Sequence, residues 1–195
     1  PGTGKTTVAR ILGRMLADVG ILSDPDRFVE VDRSDLVGRY VGWTAQQTKR
    51  KVQEALGGIL FIDEAYALGP GKSERVDPFA EEAVATLVKE MEDRRGEFIC
   101  ILAGYSQPMD EMLAMNPGMR DRIGFYLDFP DYSAPELLCI FEHMCRQDGL
   151  VVSDEALEVA SRHFERMLAS KPADFSNARA VRRVFERARM RQTTL

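Results

Sequence analysis

Two short groups of residues have the types and spacing that phosphate chemistry needs. The first is the run Pro1-Gly2-Thr3-Gly4-Lys5-Thr6. Glycines let backbone N–H groups turn inward around phosphate oxygens, a lysine places a cation on the β- and γ-phosphates, and a threonine hydroxyl can bind Mg²⁺ at a helix N-terminus. The run matches the last part of G-x-x-x-x-G-K-[ST], whose first glycine would fall two positions before Pro1. It predicts a phosphate-binding loop.

The second group is an acidic pair, Asp63-Glu64, which directly follows the apolar run Ile59-Leu60-Phe61-Ile62. Such a run is typical of a strand buried on both faces of a parallel sheet. At the end of this strand, the first carboxylate is suited to hold the Mg²⁺ shell and the second to polarise an attacking water. Acidic pairs also occur as ordinary strand caps, but their occurrence together with Lys5 and Thr6 favours nucleotide binding.

The elements that must position these residues follow from hydrophobic periodicity. Up to about residue 130, strand and helix patterns alternate, which predicts an α/β fold with an open parallel sheet flanked by helices. The strand at 98–103 is expected to be fully buried, and a loop is expected at 116–118. The predicted strands are 28–31, 59–62, 98–103 and 125–129, and the predicted helices are 6–19, 44–56, 78–92 and 109–115.

After residue 130 the strand signals stop. Three amphipathic helices are predicted at 135–147, 153–168 and 177–191, with Ser133 and Ser153 as N-caps and Gly149 as a stop signal. The sequence therefore predicts two domains. Residues 1–130 form an α/β nucleotide-binding subdomain that is truncated at its N-terminus, and residues 131–195 form an all-helical lid.

Charge and composition narrow the function classes. The net charge of -5 disfavours a dedicated nucleic-acid binder, and no apolar run is long enough for a membrane span. Residues 176–195 nevertheless carry six arginines and one glutamate, a basic surplus suited to contacts with ATP or between subunits. The three cysteines lack C-x-x-C spacing and predict reduced core thiols in a cytoplasmic protein. They are Cys100, Cys139 and Cys145.

Further blocks make the chain resemble the AAA+ ATPases, in the branch of the red-type Rubisco activases and stage V sporulation protein K. The resemblance covers nearly the whole chain. It implies a P-loop AAA+ module and lid that use ATP and Mg²⁺ and assemble as a homo-oligomeric ring, a hexamer. The blocks are Asp35 to Gly42 with Thr44-Ala45, Gly57 to Tyr66, Leu102 to Tyr105, Asn116 to Gly118, Phe129 to Ser133, and Asn177 to Arg179.

The resemblance also assigns roles to individual residues. Glu64 is the implied catalytic base, and Arg122, preferred over Arg120, is the implied arginine finger that a neighbouring subunit supplies. Arg179 is the lid arginine that reaches ATP, with Arg182 as the alternative. The implied Mg²⁺ ligands are Thr6 and, through water, Asp63. The implied nucleotide contacts are Gly2, Thr3, Gly4, Lys5, Thr6, Thr7, Asp63 and Arg179.

Tyr40-Val41-Gly42 matches the aromatic pore loop with which such rings grip a polypeptide. An aromatic ring offers a large contact area to any side chain, which suits sequence-tolerant gripping. Taken without the resemblance, an aromatic residue in a glycine-flanked segment is more often an ordinary turn. The resemblance favours the gripping role, and therefore a protein substrate.

Many AAA proteins orient the lytic water with a polar residue where this chain has Gly104-Tyr105, so the group that does so here is not identified. The first strand of this fold would precede Pro1, so we expect the intact protein to extend upstream and the 195 residues alone to bind nucleotide poorly.

The leading hypothesis for the function is a ring ATPase that remodels a protein. The alternatives are a Rubisco activase proper, a DNA-acting motor and a non-hydrolysing scaffold.

Overall fold

The computed structural model describes residues 2–38, 40, 42–69, 77–170 and 175–192. The chain divides into two compact units. Thr6–Asp128 form the first, which we call the sheet unit. Pro1–Lys5 and Phe129–Leu195 form the second, which we call the helical unit. None of the helices in the described ranges is both long and apolar enough to cross a membrane.

The sheet unit contains three parallel strands in the order β1-β2-β3. Parallel neighbours require a crossover connection, and helices supply both crossovers here. The strands are β1 (Phe28–Val31), β2 (Ile59–Ile62) and β3 (Ile99–Leu102). The helices are α1 (Lys5–Asp18), which lies in this unit from Thr6 onward, α2 (Arg33–Leu36), α3 (Trp43–Glu54), α4 (Pro78–Asp93), α5 (Ser106–Met115) and α6 (Pro117–Arg120), and a 3-10 turn covers Ala65–Leu68.

Alternate residues of β2 face two different helical layers. Ile59 and Phe61 belong to a core cluster with α1, whereas Leu60 and Ile62 belong to a larger cluster with α3 and α4. All four side chains are buried. This is the burial expected for a central parallel strand that is covered on both faces, and it places the residues after Ile62 at the carboxyl edge of the sheet.

The helical unit packs three helices around an aromatic core. The ring of Phe141 meets those of Phe164 and Phe185 edge to face, at centroid distances of 6.1 and 6.4 Å. Ser133 caps the first helix through a capping box, and Ser153 caps the second by accepting the Ala156 N–H, so both predicted caps are confirmed. The helices are α7 (Ala134–Gln147), α8 (Asp154–Ala169) and α9 (Ala178–Gln192).

The predicted α/β class, with its parallel sheet and helical C-terminal part, is confirmed, but the strand predicted at 125–129 is wrong. The segment is not a strand, and Phe125 is 92% exposed. A pattern of apolar residues predicts which side chains are buried, whereas a strand also needs a neighbouring strand with which its backbone can form hydrogen bonds. Among the described residues the sheet ends at β3, so this segment has no ladder to join.

Three smaller predictions are also wrong. Residues 117–120 form helix α6, because a proline at the first helical position loses no intrahelical hydrogen bond. Strand β3 is half-buried, because it is the last strand in the described sheet order and lacks a neighbour on one edge. Cys139 is exposed and is not a core thiol, since it lies on the outward face of α7.

Candidate active site

The glycine-rich residues pack against the start of α9 within the helical unit. Gly2 has a φ of 72°, and its carbonyl accepts the Ala178 N–H at 3.1 Å. A Cβ on Gly2 would lie 2.4 Å from the Ser176 carbonyl oxygen and 3.3 Å from Cγ of Arg179, so only glycine fits. The structure thus makes neighbours of Gly2 and Arg179, two residues that the sequence predicted separately.

Two side chains that the sequence left without a role support this contact. The Tyr132 hydroxyl donates to the Thr3 carbonyl at 3.0 Å, and the Tyr132 N–H donates to Oδ1 of Asn177 at 2.9 Å. Nδ2 of Asn177 donates in turn to Asp131 at 2.6 Å. Asn177 is fully buried at a φ of 45°, a conformation that asparagine tolerates better than most residues. Tyr132 and Asn177 lie in two of the sequence blocks on which the resemblance rests, so these blocks could have indicated both residues.

The start of α1 suits an anion. Helix α1 begins at Lys5, after Gly4 with a φ of 84°, and has no acidic residue in its first turn. First-turn N–H groups have no acceptor within the helix and carry partial positive charge. Thr3 Oγ1 is buried and has no hydrogen-bond partner in the part of the chain that the structure describes. A buried hydroxyl of this kind is stabilised when a ligand oxygen reaches it, and a phosphate group would supply one.

The residues after β2 adopt an unusual backbone. Glu64 has φ 49° and ψ 41°, the left-handed region, and its N–H donates to Oδ1 of Asp63 at 3.0 Å. Asp63 is half-buried, and Glu64 is exposed. A non-glycine residue in this region costs on the order of 1 kcal/mol, and such strain clusters at functional sites. The two predicted carboxylates therefore lie together at the carboxyl end of the central strand.

The end of β3 lies against the same turn. A Cβ on Gly104 would be 2.9 Å from Cδ1 of Tyr66 and 2.7 Å from Cγ of Met109, so the ring of Tyr66 fills the space where a side chain would stand. The rings of Tyr66 and Tyr105 are 5.8 Å apart. Burial raises the pKa of Tyr66, and the nearby negative charge of Glu64 raises it further. Sequence reasoning gave Tyr66 no role, although it follows the acidic pair by two residues.

The predicted pore loop presents two aromatic rings. Tyr40 is 62% exposed, Trp43 is 59% exposed, and their rings meet edge to face at 5.1 Å. The Trp43 N–H donates to the Tyr40 carbonyl at 3.1 Å, and Gly42 between them has a φ of 81°. Val41, the middle residue of the predicted motif, lies outside the described residues. Trp43 was missed because the recognised motif ends at Gly42.

The base of this loop is anchored by buried threonines. The Gly38 N–H donates to the Thr44 hydroxyl, and the Thr48 hydroxyl donates to the Leu36 carbonyl, each at 3.1 Å. Thr44 and Thr48 are fully buried. Beside the loop lies a groove of about 760 Å³ whose lining also includes Asp63 and Glu64. The fold of the sheet unit therefore holds the two rings on a fixed base.

The predicted arginine finger is paired within its own chain. Nη2 of Arg122 lies 3.1 Å from Oε2 of Glu92, and Nη1 donates to the Gly118 carbonyl at 2.9 Å. Arg120, the weaker candidate, is exposed at the end of α6. The pair with Glu92 is largely solvent-accessible, so it contributes roughly 0–1 kcal/mol and can be exchanged for another anion.

Comparison with known proteins supports one family. The chain matches the model of the ATPase family associated with various cellular activities (AAA) over residues 1–131 and that of the AAA lid domain over residues 133–194. Relatives include stage V sporulation protein K of Bacillus subtilis, 45% identical over 96% of this chain and 58% of the relative. Protein CbbX of Cereibacter sphaeroides is 42% identical over 98% and 60%. The chloroplastic ribulose bisphosphate carboxylase/oxygenase activase of Cyanidioschyzon merolae is 40% identical over 98% and 64%.

The chain spans about three fifths of the length of these curated relatives. The two family matches together cover nearly all of it. Their order along the chain agrees with an α/β part followed by a helical part, and the resemblance read from the motifs is confirmed. The chain therefore belongs to the AAA family of ATPases and carries the AAA lid of that family in its C-terminal helices.

Proposed function

We propose that this protein binds and hydrolyses ATP. The observation that carries the proposal is the glycine-rich turn that opens directly into α1, where no acidic side chain competes with a phosphate. Membership of a family of ATPases supports it. The acidic pair after β2, with Glu64 in a strained conformation, supplies the carboxylates for the Mg²⁺ shell and for the attacking water.

The nucleotide contacts follow from residue chemistry. Backbone N–H groups of residues 2–7 and the Lys5 ammonium surround the phosphates, with the Thr6 and Thr7 side chains at the helix start, and Arg179 approaches from the lid. Glu64 accepts a proton from the attacking water.

The donor set fits Mg²⁺. The described residues contain no cluster of three or more His, Cys, Asp or Glu that would form an all-protein metal cage. Magnesium instead takes one or two protein groups together with phosphates and water, as Thr6 and a water-mediated Asp63 would provide. When bound, it neutralises charge on the phosphate oxygens.

The hydrolysis proposal is tested by steady-state phosphate release from the complete protein. Glu64→Gln should abolish multiple turnover while ATP binding remains, and Lys5→Ala should weaken binding itself. Lys49→Ala, which removes an exposed lysine from α3, is the matched control and should behave as wild type. Phosphate release by Glu64→Gln at the wild-type rate would overturn the role of Glu64. A wild-type protein that binds ATP without turnover would indicate a scaffold.

We also propose a homo-oligomeric ring, a hexamer, in which Arg122 leaves Glu92 to reach the nucleotide of the neighbouring subunit. In related chemistry an arginine finger contributes about 10³- to 10⁵-fold in rate. Rings mixed from Arg122→Ala and Glu64→Gln subunits should recover part of the activity that each variant lacks alone. Rings made only of Arg120→Ala subunits should hydrolyse ATP without added Glu64→Gln subunits. Absence of recovery in mixed rings would contradict the assignment.

The substrate we propose is a protein, gripped through Tyr40 and its loop. Support comes from two exposed aromatic rings on an anchored base, and from relatives whose names include a ribulose bisphosphate carboxylase/oxygenase activase. Fluorescently labelled, permanently unfolded casein is a suitable probe in the presence of ATP. Tyr40→Ala should weaken casein binding at least about ten-fold, whereas Tyr40→Phe should retain it. Tyr126→Ala is a matched control, because Tyr126 is also 62% exposed. ATPase stimulation by DNA but not by casein would favour a DNA-acting motor.

A further inference from the structure

Arg33, the first residue of α2, bridges two segments that are distant from it in sequence. Its Nη1 donates to the Ala67 carbonyl at 2.8 Å, and its Nη2 pairs with Oδ2 of Asp77. Ala67 lies in the 3-10 turn that directly follows Glu64, and Asp77 is the N-cap of α4. The side chains of Arg33 and Asp77 are each 35% exposed, so the pair is partly shielded from water. One guanidinium therefore joins three elements of the sheet unit.

Backbone hydrogen bonds tie the turn after Glu64 to this guanidinium. The Ala65 N–H donates to the Ala103 carbonyl at 2.9 Å, which fixes the start of the turn beside the end of β3. The Ala67 N–H donates to the Glu64 carbonyl at 2.8 Å, while the Ala67 carbonyl accepts from Arg33. Glu64 has a left-handed backbone, and such strain persists only where surrounding contacts hold it. Arg33 supplies one of these contacts, through a single intervening residue.

Asp77 fixes the orientation of the guanidinium. Its Oδ1 accepts the Phe79 N–H at 3.0 Å and caps α4, and its Oδ2 receives Arg33. The planar fork of arginine serves this carboxylate and the Ala67 carbonyl at the same time, through two different nitrogens. A lysine ammonium is a compact charge on a flexible stem and does not reproduce the fork. The arrangement therefore requires arginine at position 33.

From this geometry we propose that Arg33 is a positioning residue for ATP hydrolysis, because it holds the turn from which Glu64 projects. The inference rests on the proposed role of Glu64 as the general base. A base must lie within hydrogen-bond reach of the water whose proton it accepts, so a small displacement of its backbone lowers the rate. Arg33 acts through the Ala67 backbone and exchanges no proton. Its effect is therefore on the chemical step and not on nucleotide binding.

Arg33→Ala tests the proposal in the complete protein. We expect kcat for ATP hydrolysis to fall about ten-fold, with KM and the affinity for a fluorescent ATP analogue unchanged within two-fold. Arg10→Ala is the matched control, because the ion pair of Arg10 with Glu30 also joins two elements of the sheet unit. It should hydrolyse ATP as wild type. An unchanged kcat in Arg33→Ala would overturn the proposal.

Chemical rescue separates positioning from general support of the fold. Guanidinium chloride at millimolar, non-denaturing concentration should restore at least a third of the lost kcat in Arg33→Ala, because the free ion can occupy the position between Asp77 and Ala67. Urea, which has a similar shape but no charge, should restore none, and Arg10→Ala should respond to neither. A loss of kcat that guanidinium does not restore would contradict the inference. If Arg33→Ala does not fold, Arg33→Lys replaces it and should show lowered kcat with unchanged ATP affinity.

A double-mutant cycle distinguishes this inference from the proposed function on which it rests. In a Glu64→Gln background, measured by single-turnover hydrolysis, Arg33→Ala should change the rate less than two-fold, because its effect passes through Glu64. The same ten-fold loss in both backgrounds would show a structural role and overturn the inference. If Glu64→Gln alone hydrolyses as wild type, the proposed function of Glu64 fails. If Glu64→Gln is inactive and Arg33→Ala is fully active, only this inference fails.

Discussion

Oδ1 of Asn177 accepts the backbone N–H of Tyr132 at 2.9 Å, across 45 positions of sequence. The same tyrosine uses its hydroxyl to hold the carbonyl of Thr3. Asn177 is thus the buried support of a segment that contacts the glycine-rich loop. Asn177, which directly precedes the last lid helix, therefore has a structural role that does not depend on contact with a nucleotide.

Replacement of Asn177 by alanine should destabilise the protein by about 1–3 kcal/mol, because the Tyr132 N–H loses its acceptor inside the core. Urea unfolding followed by circular dichroism measures the change. Asn116→Ala is the matched control: Asn116 is the other asparagine of the sequence, and the hydrogen bond from its side chain to the Met112 carbonyl is long, at 3.5 Å. If Asn177→Ala costs no more than Asn116→Ala, the supporting role is wrong.

Gly104→Ala should reduce both stability and ATP hydrolysis. The new Cβ would push against Met109 and Tyr66, and overpacking of this kind typically costs about 1–3 kcal/mol. Displacement of Tyr66 would also disturb the turn that directly follows Asp63 and Glu64. Gly124→Ala is the control, because a Cβ on Gly124 meets nothing within 4 Å. Thermal unfolding and phosphate release measured on both variants check the prediction, which an unperturbed Gly104→Ala protein would refute.

The capping box of α7 predicts a pH dependence. The Ser133 N–H and hydroxyl donate to Oε2 of Glu136 at 2.8 and 2.7 Å and hold the pKa of this carboxyl below its usual range. A lowered folded-state pKa means that the stabilisation is present above the unfolded-state pKa, about 4.3, and is lost as pH falls through the folded-state pKa. The urea midpoint of Glu136→Gln should therefore lie below wild type at pH 7 and approach it near pH 3. An equal difference at both pH values would contradict this.

The cysteines should differ in reactivity with a thiol reagent. Cys139 is exposed, whereas burial raises the pKa of Cys100 to about 12 and also raises that of Cys145. Because the thiolate is the reactive form, Ellman's reagent at pH 8 should modify one of these three thiols rapidly and the other two only after unfolding. Cys139→Ser should remove the rapid phase. A rapid phase that persists in this variant would contradict the assignment.

Much of the fold was predictable because burial constrains composition locally. Strand β2 was predicted at its observed residues, since a strand covered on both faces must be apolar at every position. The same reasoning failed for the segment at 125–129. Its apolar residues favour burial, but a strand forms only where a neighbouring strand can pair with it. Strand β3 is half-buried for the related reason that its place in the sheet order is not encoded in its own residues.

The sequence by itself determined the family, the glycine-rich loop before α1 and the acidic pair after β2, because each is built from contiguous residues whose chemistry is local. Only the tertiary structure decided that Tyr66 fills the space beside Gly104, and that Asn177 supports Tyr132. These contacts join residues that are distant in sequence. No local pattern records them, because their partners are chosen by the packing of whole elements.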